Sequence, residues 1–249
     1  MSVAAGHRAG RAERGDAVTA AIAARDWPRH EAEIDADGFA VLERVIAPED
    51  CTALASLYDD DARFRSRVVM ARHGFGQGEY KYLAYPLPDT VARLRAALYP
   101  PLAAIANRWS AALGLDLRYP ADHAAYLTRC RRAGQTRPTP LLLRYGPGDY
   151  NCLHQDLYGE HVFPLQATFL LSSPAEFSGG AFVLVEQRPR RQSRAEVVPL
   201  AQGDGVVFAV RERPMRGARG VYRTILRHGV SRVRAGRRMT LGIIFHDAQ

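Results

Sequence analysis

The sequence predicts an α+β fold in which a mainly helical N-terminal portion packs on the outer face of a jelly roll. Three observations predict it. Apolar residues recur at helical spacing in the first half, as at Val91, Leu94, Leu98, Leu102 and Ile105. From about Asp122 the chain turns to short apolar runs separated by glycine-bearing turns, the texture of a sandwich or barrel. Two of those runs alternate strictly. Gln166 and Thr168 alternate with Ala167, Phe169 and Leu171, and Arg238 and Thr240 alternate with Met239, Leu241, Ile243 and Phe245. Successive side chains of a strand point to opposite faces, so each run has one apolar and one polar face. The apolar face suits covering helices and the polar face suits the lining of an inner pocket, as a jelly roll with a buried site requires.

The elements follow in order. Residues 1–15 are small, charged and glycine-containing, which predicts disorder. Residues 17–34 read as a helix bent where Pro28 follows Trp27. Gly38 to Leu42 reads as a strand, and Pro48 opens a second helix through Leu57, because a first helical turn tolerates proline. The helix that carries Val91 to Ile105 is expected to be interrupted at Pro100-Pro101. Candidate strands lie at 141–145, 165–171, 181–185, 197–199, 206–210 and 238–245, with arginine-rich loops at 187–196 and 211–219. The expected organisation is a mainly helical portion over 16–121 and a jelly-roll core over 122–249, in one integrated domain.

Composition narrows the class. With 249 residues, 47% hydrophobic, the chain can bury a substantial core. No apolar run approaches a membrane span, and the start lacks the order of a secretion signal. Three scattered cysteines, Cys51, Cys130 and Cys152, argue against a disulfide framework and for a reducing cytoplasm. The formal charge is +8 and Lys81 is the single lysine. An arginine-biased genome and a polyanionic partner such as nucleic acid both produce that balance.

The chemistry concentrates in His154, Asp156, His228 and Arg238. His154 and Asp156 are two apart, so on a strand they share a face. His228, seventy-four residues after His154, would join them from a strand adjacent in space. Two imidazoles and one carboxylate occupy one face of an iron(II) ion and leave three positions open. An arginine beyond the second histidine can grip a dicarboxylate by a forked, charge-assisted contact. The doublet alone is weak, since about 0.5 such pairs are expected by chance at this composition.

Context supplies the specificity. Leu141 through Tyr150 leads into the doublet; Ser178-Gly179-Gly180-Ala181-Phe182, Gln202-Gly203-Asp204, His228-Gly229-Val230-Ser231 and Gly236-Arg237-Arg238-Met239-Thr240 follow. This series over 122–249 resembles the prolyl-hydroxylase-like branch of the 2-oxoglutarate/iron(II) dioxygenases, whose core is a double-stranded β-helix. The resemblance implies iron(II) held by His154, Asp156 and His228, and 2-oxoglutarate as co-substrate held by Arg238 with Tyr145 and Thr240. It also implies oxygen as the second co-substrate and hydroxylation of a C–H bond. The stretches Tyr145 to Tyr158 and Leu241 to Asp247 further resemble a bacterial oxygenase family described as dealkylating damaged DNA, which would make this a DNA-repair enzyme. Dealkylases of the AlkB type carry a second arginine six residues after the first on the last strand; here that position is Ile244.

Other residues have a bland reading beside a functional one. Tyr145 fits a core aromatic as well as a co-substrate contact, and Gln166 and Thr168 fit inward-facing polar residues as well as substrate contacts. The 72–82 segment, with Tyr80 and Tyr82, has the composition of a lid that stacks a base or of a glycine turn between strands. His161 is expected in a loop away from the metal, His246 too far along its strand to ligate, and Cys152 as a small buried residue. Three functions stay open: an oxygenase of damaged nucleic acid, a hydroxylase of a protein side chain or metabolite, and a non-catalytic jelly-roll binding or sensor protein.

Overall fold

The computed structural model of the chain describes residues 17–218 and 220–249. The expected disorder of residues 1–15 lies outside them. Two antiparallel sheets face each other. The larger runs, edge to edge, Phe39–Leu42, Gly205–Ala209, Leu165–Leu170, Arg238–Ile243, Leu141–Tyr145, Glu79–Leu83 and Phe64–Val69. The smaller runs Arg194–Val198, Phe182–Gln187, Gly220–Val230, Tyr150–His154 and Gly76–Gln77, and Glu212–Gly217 pairs onto Gly220–Val230. A short ribbon joins Val233–Gly236 to Phe177–Gly179. This is an α+β jelly roll, and its sheets take strands from both sides of residue 122.

The core forms where the alternation places it. Ala167, Phe169, Leu241 and Ile243 are fully buried in one cluster with Val91, Leu94, Leu98, Leu102 and Ile105 of the Asp89–Ala112 helix. Burying an aliphatic side chain contributes about 1.5–3 kcal/mol, so this face outweighs local propensity. That answers the expected interruption at Pro100-Pro101. The helix runs through both prolines, because the buried face on either side holds the axis across the two missing N–H donors.

Near the N-terminus the outcome is reversed. Residues 17–23 are helical, and a new helix starts at Trp27–Asp37 with Asp26 accepting from the Arg29 N–H and Pro28 in the first turn. The expected bend is a break, since proline and a capping aspartate together start a helix. His123–Arg132 is a further helix, inside the 122–249 stretch read as the jelly-roll core, capped by Asp122 on the Ala125 N–H. The 72–82 segment is a short 3-10 turn at Met70–His73 followed by two sheet strands, so Tyr80 and Tyr82 sit on the larger sheet rather than on a lid. Among the described residues, no helix is long and apolar enough to cross a membrane.

Candidate active site

The two sheets close over one pocket. His228 and His154 are direct cross-strand partners of the smaller sheet, with ring centroids 4.1 Å apart. Asp156 lies just beyond the end of the Tyr150–His154 strand and turns back toward both rings. Its Oδ1 is 3.6 Å from His154 Nε2 and its Oδ2 is 3.4 Å from His228 Nε2. One ligating atom from each of the three falls within 4.8 Å of the others, so the group could hold a metal ion. His154 Nδ1 lies 2.8 Å from the Cys152 carbonyl, which makes that nitrogen the donor and leaves Nε2 facing Asp156.

Protonation states fit a cation site. Burial alone would raise Asp156, but the hydrogen bond with His228, and the charge that His228 and His154 carry when protonated, hold its carboxyl well below the usual range. Burial pulls His228 below the ordinary histidine value, and the neighbouring His154 adds to this. An ionised carboxylate beside a neutral imidazole is what a divalent metal requires.

The other end of the pocket is unusual in a different way. Arg238 is 2% exposed, and its Nε and Nη1 find no hydrogen-bond partner among the described residues. It sits opposite Tyr145 on the neighbouring strand, its guanidinium carbon 5.7 Å from the phenol ring centroid. Burial lowers the Arg238 pKa to about 10, with only Tyr145 pulling the other way. Burial also pushes the Tyr145 phenol up to about 12, against the lowering effect of Arg238. A buried, uncompensated guanidinium is costly, so the cavity is built to receive an anion. Room for its stem comes from Gly180 (φ 61°), where a Cβ would stand 2.8 Å from Arg238 Cδ.

The remaining candidate residues line the same pocket. Thr240, Gln166 and Thr168 are buried and line the same pocket as the His-Asp-His group and Arg238. The Gln166 amide oxygen has no partner, whereas the Thr168 hydroxyl donates to the Leu241 carbonyl at 3.3 Å. Tyr80 and Tyr82 form part of the pocket wall, their rings edge to face at 5.4 Å. Arg237, the residue before that strand, is exposed and lies outside the pocket.

His161 stands apart from the metal group, in a second groove with Trp109 and Leu115. His246 is buried, its Nδ1 accepting from the Phe163 N–H at 3.2 Å. Two expectations are corrected. Cys152 is exposed rather than buried, because the middle of its strand, Cys152 and Leu153, lies open to solvent. The 211–219 segment is not a solvated arginine loop: Glu212–Gly217 is a strand, and Arg213 is fully buried against Glu186 and the Asp35 and Ala36 carbonyls. Arg219 lies outside the described residues. In the 187–196 hairpin Arg188 is already held by Glu186 at 2.8 Å.

Sequence reasoning missed several pocket residues. The Tyr158 hydroxyl donates to Asp156 Oδ1 at 2.7 Å. Gln155 donates to the Leu226 carbonyl at 2.8 Å, and Phe75 and Asn151 complete the wall. Tyr158 follows Asp156 by the same two-residue step that separates His154 from Asp156, which was the available signal.

Comparison with known proteins identifies the family and the fold. A family described as "Oxygenase, catalysing oxidative methylation of damaged DNA" matches residues 78–248. Two proteins from strains of Mycobacterium tuberculosis, both named only as uncharacterized, are each 51% identical over 164 residues. The match spans 66% of this chain and 70% of theirs. Among solved structures, an oxidoreductase of the 2OG-Fe(II) oxygenase family from Burkholderia pseudomallei superposes with a TM-score of 0.53 at 15% identity, covering 90% of this chain and 93% of that one. A Trichoplax adhaerens prolyl hydroxylase, solved with a hypoxia inducible factor peptide, gives 0.52 at 12% identity and covers 89% of each chain. At such identities the likeness is one of fold.

Proposed function

The chain belongs to this family of oxygenases, and from that premise we propose that it is an iron(II)- and 2-oxoglutarate-dependent dioxygenase that hydroxylates a methyl carbon on damaged nucleic acid. One observation carries the reading: a buried guanidinium without a partner shares its cavity with a two-histidine, one-carboxylate group. The donor set fits iron(II), and the unpaired Arg238 fits the distal carboxylate of a keto acid. When bound, iron(II) with 2-oxoglutarate supplies oxygen activation, which converts the keto acid to succinate and carbon dioxide and delivers one oxygen atom to a substrate C–H bond.

The residues supply position and environment. His154, Asp156 and His228 would hold the metal. Arg238, which shares the pocket with Tyr145 and Thr240, would orient the co-substrate through its distal carboxylate. Phe75, Tyr80, Tyr82 and Leu141 wall the reacting region and exclude water, while Gln166 and Thr168 add polar contacts. An N-methyl group hydroxylated there collapses to formaldehyde and free amine. Oxygenation consumes a methyl group already present, so the reaction we propose is removal of damage.

Support for nucleic acid is the +8 charge and a surface pocket lined by Arg188, Arg190, Arg191, Arg216 and Tyr222. Hydroxylation of a protein side chain or metabolite is the second reading, favoured by Ile244, which is buried where AlkB-type dealkylases carry an arginine. A reducing compartment such as the cytoplasm suits the three free cysteines. The test is anaerobic loading with iron(II) and 2-oxoglutarate, then oxygen with methylated DNA, RNA and peptides. Succinate with formaldehyde on methylated nucleic acid supports the first reading, and a peptide gaining one oxygen supports the second. No succinate under any condition contradicts both.

A further inference from the structure

We propose that Tyr158 is a positioning residue that restricts Asp156 to a single metal-binding oxygen, and so keeps open the positions that the co-substrates need. The inference rests on the iron reading above and deepens it. The two oxygens of Asp156 are not equivalent. Each faces one histidine, Oδ1 at 3.6 Å from His154 Nε2 and Oδ2 at 3.4 Å from His228 Nε2, but it is Oδ1 that accepts the Tyr158 hydroxyl, at 2.7 Å. Asp156 is 7% exposed, so solvent offers little competition for this hydrogen bond.

Counting positions explains why the distinction matters. Two imidazoles and one carboxylate oxygen fill three of six positions, leaving three for a two-point keto acid and oxygen. A carboxylate that bound through both oxygens would leave two, one too few. A short donor on Oδ1 withdraws lone-pair density from that oxygen and fixes the carboxylate plane.

The aim of Tyr158 is built into the fold. Gly159 (φ 81°) follows it, and a Cβ there would stand 2.5 Å from Gln135 Cδ. Gln135 is fully buried and gathers the turn: its Oε1 accepts from the His161 N–H at 2.7 Å, and its Nε2 donates to the His161 carbonyl at 3.1 Å. Nε2 also reaches the Tyr158 carbonyl at 3.4 Å and the Asp247 carbonyl. A loop wrapped on a buried amide holds its phenol in one orientation at little entropic cost on metal binding.

The test compares the full-length wild-type chain with Tyr158→Phe and Tyr158→Leu, using cobalt(II) as an anaerobic, spectroscopically visible probe. Three readouts are taken: cobalt(II) affinity, the intensity and position of its visible bands, and 2-oxoglutarate affinity of the cobalt-loaded protein. Outer hydrogen bonds to metal ligands commonly change affinity about 10–100-fold. Both variants are expected to change cobalt(II) affinity by roughly tenfold or more, to shift the visible bands, and to bind 2-oxoglutarate more weakly. Wild-type affinity and spectrum in Tyr158→Phe would overturn the proposal. A change confined to Tyr158→Leu would also overturn it, by assigning the effect to ring packing. If the wild-type chain itself binds no cobalt(II), the iron reading fails instead, which separates the two failures.

Discussion

Arg238 and Tyr145 face each other across adjacent antiparallel strands, with the guanidinium carbon 5.7 Å from the phenol ring centroid and neither side chain open to solvent. The pairing places a permanent cation in a desolvated cavity with no acid beside it among the described residues. The first prediction follows. Arg238→Leu should weaken 2-oxoglutarate binding by about 2–5 kcal/mol, the cost of truncating one partner of a buried charge pair, or roughly thirtyfold at least. Metal affinity should persist. The metal-free variant should unfold at a temperature equal to or above wild type, because an uncompensated buried charge has been removed. Calorimetric titration and a thermal melt check the two halves, and Arg237→Leu, at the exposed residue before the strand, should change neither.

The metal ligands are expected to behave as a unit. His154→Ala, Asp156→Ala or His228→Ala should each abolish succinate formation and the thermal stabilisation by divalent metal, since three ligands leave little redundancy. His161→Ala should leave metal binding unchanged, because its side chain lies in a separate groove. A metal-dependent melting shift that survives in Asp156→Ala would remove that residue from the group.

The strands that bear Arg238 and Gln166 were legible because buried alternation of period two leaves a clear trace, and their polar face is the pocket wall. The ligand group was legible because its order and spacing are specific in combination. Less legible were the edges. Glu79–Leu83, central to the pocket wall, is rich in charge and tyrosine, since it buries residues against other side chains rather than in an apolar core. Arg213 read as one arginine among many, yet Glu186, twenty-seven residues away, makes it a buried structural group. The Tyr158 contact depends on how a loop closes over Gln135, and no periodicity encodes that.

Acid stability should be set partly by two histidines outside the metal group. Burial, aided by the Arg95 charge, lowers both His123 and His246 to about 3. The unfolded chain protonates these groups near pH 6.5 while the folded chain does not, so stability falls as pH drops from about 6.5 toward 3. Each group contributes on the order of 1 kcal/mol per pH unit across that window. The double variant His123→Gln, His246→Asn keeps a donor for the Phe245 carbonyl and an acceptor for the Phe163 N–H. Its denaturation midpoint should depend less on pH over that window than wild type, as followed by urea unfolding of the metal-free protein.

Nucleic-acid binding should run through the arginine pocket. Arg190, Arg191 and Arg216 are exposed there, whereas Arg188 is engaged by Glu186. Replacing the three exposed arginines by alanine should reduce the slope of log affinity against log salt by about 2–3, one condensed ion per lost phosphate contact. Decarboxylation of 2-oxoglutarate without substrate should be unchanged, since the pocket is separate from the metal group. Binding that is insensitive to salt, or an unchanged slope in the triple variant, would move the substrate to the protein or metabolite class.

The central claim is that one cavity brings a metal and 2-oxoglutarate together through His154, Asp156, His228 and Arg238. Anaerobic visible absorption tests it most directly, because a keto acid chelated to iron(II) gives a charge-transfer band that neither component gives alone. Wild-type protein with iron(II) and 2-oxoglutarate should show the band at a stoichiometry of one. His154→Ala should not show it, and Arg238→Leu should need far more 2-oxoglutarate to reach it. No band in the wild-type chain at saturating iron(II) and 2-oxoglutarate, or an undiminished band in His154→Ala, would contradict the account.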